Sequence, residues 1–424
     1  MKIVVIGAGI VGLSSAYWLA RDGHEVTVVD RETEVGRGAS FANGGQLSYS
    51  YVAPMAAPSV LRSLPKYLLN PDSPVRFTPR ADPAQWRWIL AFLRACTAER
   101  SALTTARLIA LSFHSRDSLA VMRDEMPLDF DHASNGKLVL QSSREGLDEA
   151  AAQVALQATM GCEQQVITAR ECLDLEPGLQ SISSRIFGGV LTPSEEVGDC
   201  KMLCESLHKA LAAPPLSVRF MLGCAVERLV RSGSRVTEVV TARGPVRADL
   251  YVLAAGVQSP SLARALNISV PVQPVRGYSI SARVRFDNRA PVRSITDTYR
   301  KTVYAPIGDR LRVAGFAEVG VAANGAGPAP VRADRIEVLK QDLAAIFPDV
   351  CEMEDVRPWS GMRPVTPTGL PFIGRTRVDN LLLNVGQGAL GFTLAAGSAN
   401  LLSDIVAGRA PSIPAEFYDP MGRG

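Results

Sequence analysis

The chain opens Lys2-Ile-Val-Val-Ile-Gly7-Ala8-Gly9-Ile10-Val11-Gly12, an apolar run that enters a glycine turn and continues as a helical pattern through Ala16 and Leu19. Gly23 ends that helix, and a second apolar run, Glu25-Val-Thr-Val-Val-Asp30, follows it. Glycines spaced GxGxxG are a weak signal alone. Here strand, turn, helix, second strand and terminal carboxylate fall in register, which predicts the βαβ unit of a Rossmann-like nucleotide-binding sheet. Gly7 makes the tight turn, Gly9 lets the backbone approach a pyrophosphate, and Gly12 lets helix pack on strand. The helix N-terminus at Ile10 then faces the phosphates, and Asp30, with Arg31 beside it, is placed to accept hydrogen bonds from a ribose diol.

The rest of the composition bounds the possibilities. A length of 424 residues allows two or three domains, and 47% hydrophobic residues suffice for a sizeable core. Forty-five basic against 42 acidic side chains leave a net charge of +3, too small and dispersed for a nucleic-acid footprint. The first strand begins at Lys2, so no secretory signal is expected and a cytoplasmic location is the default. Seven scattered cysteines without a CxxC pair read as reduced thiols. Cys200 and Cys204 share a helix face near His208, but the pattern favours structural thiols and no metal site is expected. The apolar stretch 389–408 carries Thr393, Ser398, Asn400, Ser403 and Asp404, which suits a helix packed inside a protein better than a membrane span.

Three further segments suggest an extended dinucleotide such as FAD. Gly38 to Gln46, including Ser40, Asn43, Gly44 and Gly45, is a small-residue loop where such a ligand would continue past its pyrophosphate. A strand pair around 218–241, with Val226 on it, leads to an apolar strand ending Ala254-Ala255-Gly256. Near the C-terminus, Gly386-Gln387-Gly388-Ala389-Leu390-Gly391-Phe392-Thr393 opens a long helix whose positive end points into the preceding loop.

Together with Ala42-Asn-Gly-Gly-Gln46, Gly198-Asp-Cys200, Pro274-Val-Arg-Gly277-Tyr278-Ser279, Gly361-Met-Arg363-Pro-Val-Thr-Pro367 and Asn384 to Thr393, these segments resemble the D-amino-acid oxidase-like family of FAD-dependent oxidoreductases. Within it the likeness is strongest to the catalytic subunits of bacterial amino acid dehydrogenases. Relatives often carry histidine in the turn where this chain has Gln387. No cysteine occurs from 352 onward, and Met362 stands where some sarcosine oxidases tether their flavin nearby, so a non-covalent FAD is implied.

The resemblance implies an α/β Rossmann-like FAD-binding domain, from segments 1–80, 187–262 and 359–424, interleaved with an α+β, mixed-sheet substrate domain from 81–186 and 263–358. Helical periodicity in the first substrate segment, at Trp86, Ile89, Leu90 and Leu93 and from Leu103 to Val121, and alternation at 278–285 and 311–315 in the second, agree with that division. Residues 322–330, rich in Gly, Ala and Pro, read as a surface loop.

It further implies oxidative deamination of free, D-configured amino acids, by hydride transfer from the α-carbon to flavin N5. Secondary amines such as hydroxyproline, sarcosine or glycine are the alternative substrates, and a non-catalytic flavin subunit of a larger oxidase the alternative role. An amino acid offers its carboxylate as a handle, and arginine matches a carboxylate with a two-pronged fork. Arg363 is the expected substrate and catalytic residue, seconded by Tyr278; Tyr304, Tyr49, Tyr51, Gln46 and Gln387 are weaker substrate candidates. Gly361 and the 388–393 helix start would line the flavin, the helix N-terminus stabilising charge on the reduced ring. A quinone acceptor, a partner subunit and peripheral membrane contact are implied too. Trp86, Arg87, Trp88, Phe92 and Arg94, with Arg62, Lys66 and Arg76 before them, suit a membrane interface.

Overall fold

The computed structural model describes residues 1–61, 73–321 and 330–422. Lys2–Ile6 forms the inner strand of a six-stranded sheet, paired in parallel with Glu25–Val29 on one side and Leu250–Leu253 on the other. Arg219–Met221 extends the sheet beyond Glu25–Val29, and Leu381–Val385 with antiparallel Phe372–Arg375 extends it beyond Leu250–Leu253. Such a strand reads as continuous apolar sequence because both faces are covered. Ile3 and Val5 join a core with the helices Ile10–Arg21, Ala98–Glu125, Cys200–Ala212 and Gly391–Ala407. Val4 and Ile6 point the other way, into a core shared with the antiparallel strands Val226–Ser232 and Arg235–Thr241.

Gly12 shows why the glycine spacing is strict. A Cβ there would lie 1.9 Å from the Gly7 carbonyl oxygen, which itself follows from a Gly7 φ of +117°.

The second, nine-stranded sheet is mixed. Its long antiparallel strands Cys351–Val365, Gln273–Val284 and Arg310–Val319 lie side by side, followed by Thr302–Ile307 and Ser294–Asp297. Lys137–Gln141 then joins in parallel, and Gly188–Thr192 and Gln165–Thr168 complete the row. Residues facing one side, among them Tyr278, Ile280, Tyr304 and Val313, pack on the helix Ala333–Ile346. The other side faces the Rossmann-like sheet. Val75–Phe77, Gly188–Thr192 and Cys351–Val365 hydrogen-bond in this nine-stranded sheet, so the chain changes sheets inside the segments 1–80, 187–262 and 359–424.

Gly388–Ala407 is, by length and composition, apolar enough to cross a membrane, but 61% of that stretch is buried in the fold against Ile10–Arg21 and Ala98–Glu125. All seven cysteines are buried and free. The 322–329 part of the expected loop, and Arg62 and Lys66, lie outside the described residues.

Candidate active site

A cavity of about 960 Å³ runs between the two sheets. At one end lies the glycine turn. Gly9 caps the Ile10–Arg21 helix without a side-chain hydrogen bond, which leaves the first-turn N–H groups available, while Ile10 N–H donates to Ser40 Oγ at 3.1 Å. Asp30 accepts from the backbone N–H of Ala8 at 2.6 Å and of Glu32 at 2.9 Å, one on each oxygen. Burial nonetheless pushes its carboxyl above the usual aspartate range. Arg31 pairs with Glu32 at 3.2 Å, and Val226, Ala255 and Gly256 complete this end.

The middle is floored by the 42–46 loop. Asn43 Oδ1 accepts from Gly45 N–H at 3.0 Å, and the Ala42 carbonyl accepts from Ser279 Oγ at 2.6 Å. Arg312, which sequence reasoning missed, donates to the Asn43 carbonyl at 2.9 Å and pairs with Asp199 at 3.0 Å. Asp199 in turn caps the Cys200–Ala212 helix through Lys201 and Met202 N–H. One buried guanidinium thus holds the loop, a helix start and the second sheet together.

At the far end, Gly361, Arg363 and the turn Gly388–Leu390 meet. The helix Gly391–Ala407 starts there without a side-chain cap, and Thr393 Oγ1 accepts from Ser48 N–H at 3.1 Å. Arg363 donates through Nη1 to the Phe316 carbonyl at 2.8 Å, its guanidinium lying over Gly277, where a Cβ would come within 2.4 Å of Nη2. Burial lowers its pKa below the ordinary guanidinium value with no carboxylate to offset it, so it is a desolvated cation without an acidic partner among the described residues.

Other expected contacts fall differently. Tyr278 and Tyr304 are buried on the opposite face of their strands, because side chains alternate and it is Ser279 and Val303 that face the cavity. The Tyr278 hydroxyl donates to Glu318 at 2.8 Å, and the Tyr304 ring packs on Phe347. Tyr49 donates to Glu196 at 3.0 Å and is buried. Gln387 borders the cavity with little exposure, and its amide donates to Asn384 Oδ1 at 2.7 Å. Tyr51 and Gln46 do line the cavity, and both touch a residue the sequence did not single out. Lys137 Nζ donates to Gln46 Oε1 at 3.0 Å and Ser48 Oγ at 2.9 Å and sits 4.3 Å from the centre of the Tyr51 ring. Burial pushes Lys137 down to about 8, the neighbouring Glu195 working against that shift. The only sequence signal was a lysine opening an otherwise apolar strand.

A turn-and-helix site for a pyrophosphate, a carboxylate at the second strand end, and a long cleft ending on an uncapped helix define a dinucleotide-dependent oxidoreductase. The family described as FAD dependent oxidoreductase matches residues 2–405, and the chain belongs to it. It is 47% identical to D-amino acid dehydrogenase 2 of Ralstonia nicotianae, over 99% of both chains. It is 40% identical to the D-amino acid dehydrogenase of Allorhizobium ampelinum, over 97% of this chain and 96% of that one. Among solved structures, glycine oxidase from Geobacillus kaustophilus superposes with a TM-score of 0.76 at 19% identity, covering 100% of this chain and 99% of that one. L-proline dehydrogenase from P. horikoshii gives 0.75 at 17%, covering 99% and 96%. The cradle of close-packed glycines, the helix starts at Ile10 and Gly391 without side-chain caps from their N-cap residues, and the acceptor at Asp30 fit FAD.

Proposed function

We propose that this enzyme oxidises free amino acids of D configuration to 2-oxo acid and ammonia, using non-covalent FAD. The observation that carries the reading is Arg363, a half-buried guanidinium in the cleft with no carboxylate partner among the described residues. A substrate carboxylate would complete it with a charge-assisted, two-pronged pair. The names of the relatives support the D-amino acid.

The residues that would hold FAD are Gly7, Gly9, Ile10 and Gly12 at the pyrophosphate, Asp30, Arg31 and Val226 at the adenosine, and Ser40, Asn43 to Gln46, Ala255, Gly256, Gly361 and Gly388 to Thr393 along the rest. When bound, FAD accepts the two electrons that leave the substrate α-carbon as hydride. Arg363 fixes the carboxylate and so the direction of the α-carbon. Uncapped N–H groups at Gly391 supply a positive end without a titratable side chain, suited to negative charge arriving in that part of the cleft. Lys137 holds Gln46 and Ser48 against the second sheet, which keeps the wall of the cleft in place. The imine that leaves is hydrolysed by water to the 2-oxo acid and ammonia.

The electron acceptor in this proposal is a quinone, reached by contact of a cytoplasmic protein with the inner membrane. The helix Pro83–Ala95 supports it by leaving Trp86 and Leu90 about half exposed, at 46% and 52%, beside exposed Arg87 and Arg94. Trp88, by contrast, is buried and donates to the Val365 carbonyl. Turnover of a D-amino acid with a soluble quinone analogue, compared with oxygen, tests the reading. Quinone-dependent formation of 2-oxo acid is expected; turnover with oxygen alone, yielding peroxide, would make the enzyme an oxidase.

A further inference from the structure

Phe316 has φ +65°, a left-handed conformation that strains a bulky side chain. It arises at a bulge. Tyr278 pairs with Gly315 and Arg276 with Glu318, so two residues, Phe316 and Ala317, stand opposite the single Gly277. The first position of a bulge with this backbone ordinarily takes glycine. Here it carries a ring, and the ring is gripped from two sides. The Arg335 guanidinium lies 4.9 Å from its centre, and the Tyr278 ring meets it edge-on at 5.8 Å. Both clamps hang on one buried carboxylate: Glu318 accepts from Tyr278 at 2.8 Å and from Arg335 at 3.1 Å. The Phe316 carbonyl at that bulge is the acceptor that holds Arg363.

We infer that Tyr278, Glu318 and Arg335 form a positioning device that clamps the Phe316 ring, fixes its strained peptide, and so aims Arg363 at the substrate carboxylate. The inference rests on the reading of Arg363 as the carboxylate site. It gives a task to the Tyr278 hydroxyl, which is turned to Glu318, and to a phenylalanine where glycine would be cheaper. Among the described residues Arg363 makes one hydrogen bond, to that carbonyl, so the orientation of its fork follows the orientation of the peptide.

The test uses FAD-loaded enzyme and two probes, pyruvate and its uncharged amide, titrated against the flavin absorbance. Tyr278→Phe removes the hydroxyl that holds Glu318, and Phe316→Gly keeps the backbone conformation but deletes the gripped ring. Each is expected to weaken pyruvate binding about five- to tenfold, leave pyruvamide binding unchanged, and raise KM for a D-amino acid more than it lowers kcat. Arg363→Ala run alongside should lose the preference for pyruvate entirely. If Arg363→Ala loses it while both other variants keep the wild-type preference, or lose both probes equally, the device is overturned and the carboxylate reading stands. If Arg363→Ala keeps the preference, the carboxylate reading itself fails. Should Phe316→Gly not fold, Tyr278→Phe alone decides, since it removes a single atom.

Discussion

Arg312 and Asp199 meet at 3.0 Å between elements that belong to different sheets, both largely buried. The pair joins the strand Arg310–Val319 to the start of the Cys200–Ala212 helix, and the same guanidinium holds the Asn43 carbonyl beneath the cleft. Removing one partner of a buried pair leaves the other charge uncompensated, at about 3 kcal/mol or more. Arg312→Met is therefore expected to lower the unfolding free energy by about that amount and to loosen FAD, measured by denaturant titration and by flavin release on dilution.

Arg363→Ala should leave the flavin spectrum close to native and raise KM steeply, because the substrate carboxylate loses a charge-assisted partner. Arg363→Lys should recover only part of the loss, since an ammonium cannot form the fork. Steady-state kinetics with one D-amino acid checks both. Unchanged KM in the alanine variant would make Arg363 structural.

Asp30→Ala is expected to weaken FAD retention by about 1.5–3 kcal/mol, the range for hydrogen bonds to a charged group. Part of that cost is local, since Ala8 N–H, on the turn itself, loses its acceptor. Equilibrium dialysis of the apoprotein with FAD measures it; wild-type affinity in the variant would remove Asp30 from the ribose.

Lys137 carries a pH signature with a definite sign. Its pKa is pushed down to about 8 in the fold from the ordinary 10.5. Between those two values the unfolded chain holds a proton that the folded chain has released, so this group's contribution to stability rises with pH across that window. Lys137→Gln deletes the effect. Wild-type Tm should therefore improve relative to the variant from pH 8 to 10.5. A flat or falling difference would show that Lys137 is not depressed.

The βαβ start was legible because each of its parts has a steric cause visible in residue type, and the same holds for the glycine-rich opening of the C-terminal helix. Tyr278 and Tyr304 were not. Gln273–Val284 is buried at almost every position, so no polar alternation marks which face meets the ligand, and one residue's offset exchanges Ser279 for Tyr278. Lys137 was not legible because its neighbours, Gln46, Ser48 and Glu195, come from distant segments. Arg312 was hidden likewise, its three contacts lying on Asn43, Asp199 and Ser281.

In the proposed reaction electrons pass from an amino acid held by Arg363 to FAD in this cleft. Anaerobic mixing of the yellow holoenzyme with a panel of D- and L-amino acids and N-alkyl glycines tests that transfer, with flavin absorbance as the readout. Bleaching by D-amino acids is expected, with wild-type loss of colour at concentrations where Arg363→Ala stays yellow. A flavin that no amino acid reduces, or one reduced equally well in both proteins, would contradict it.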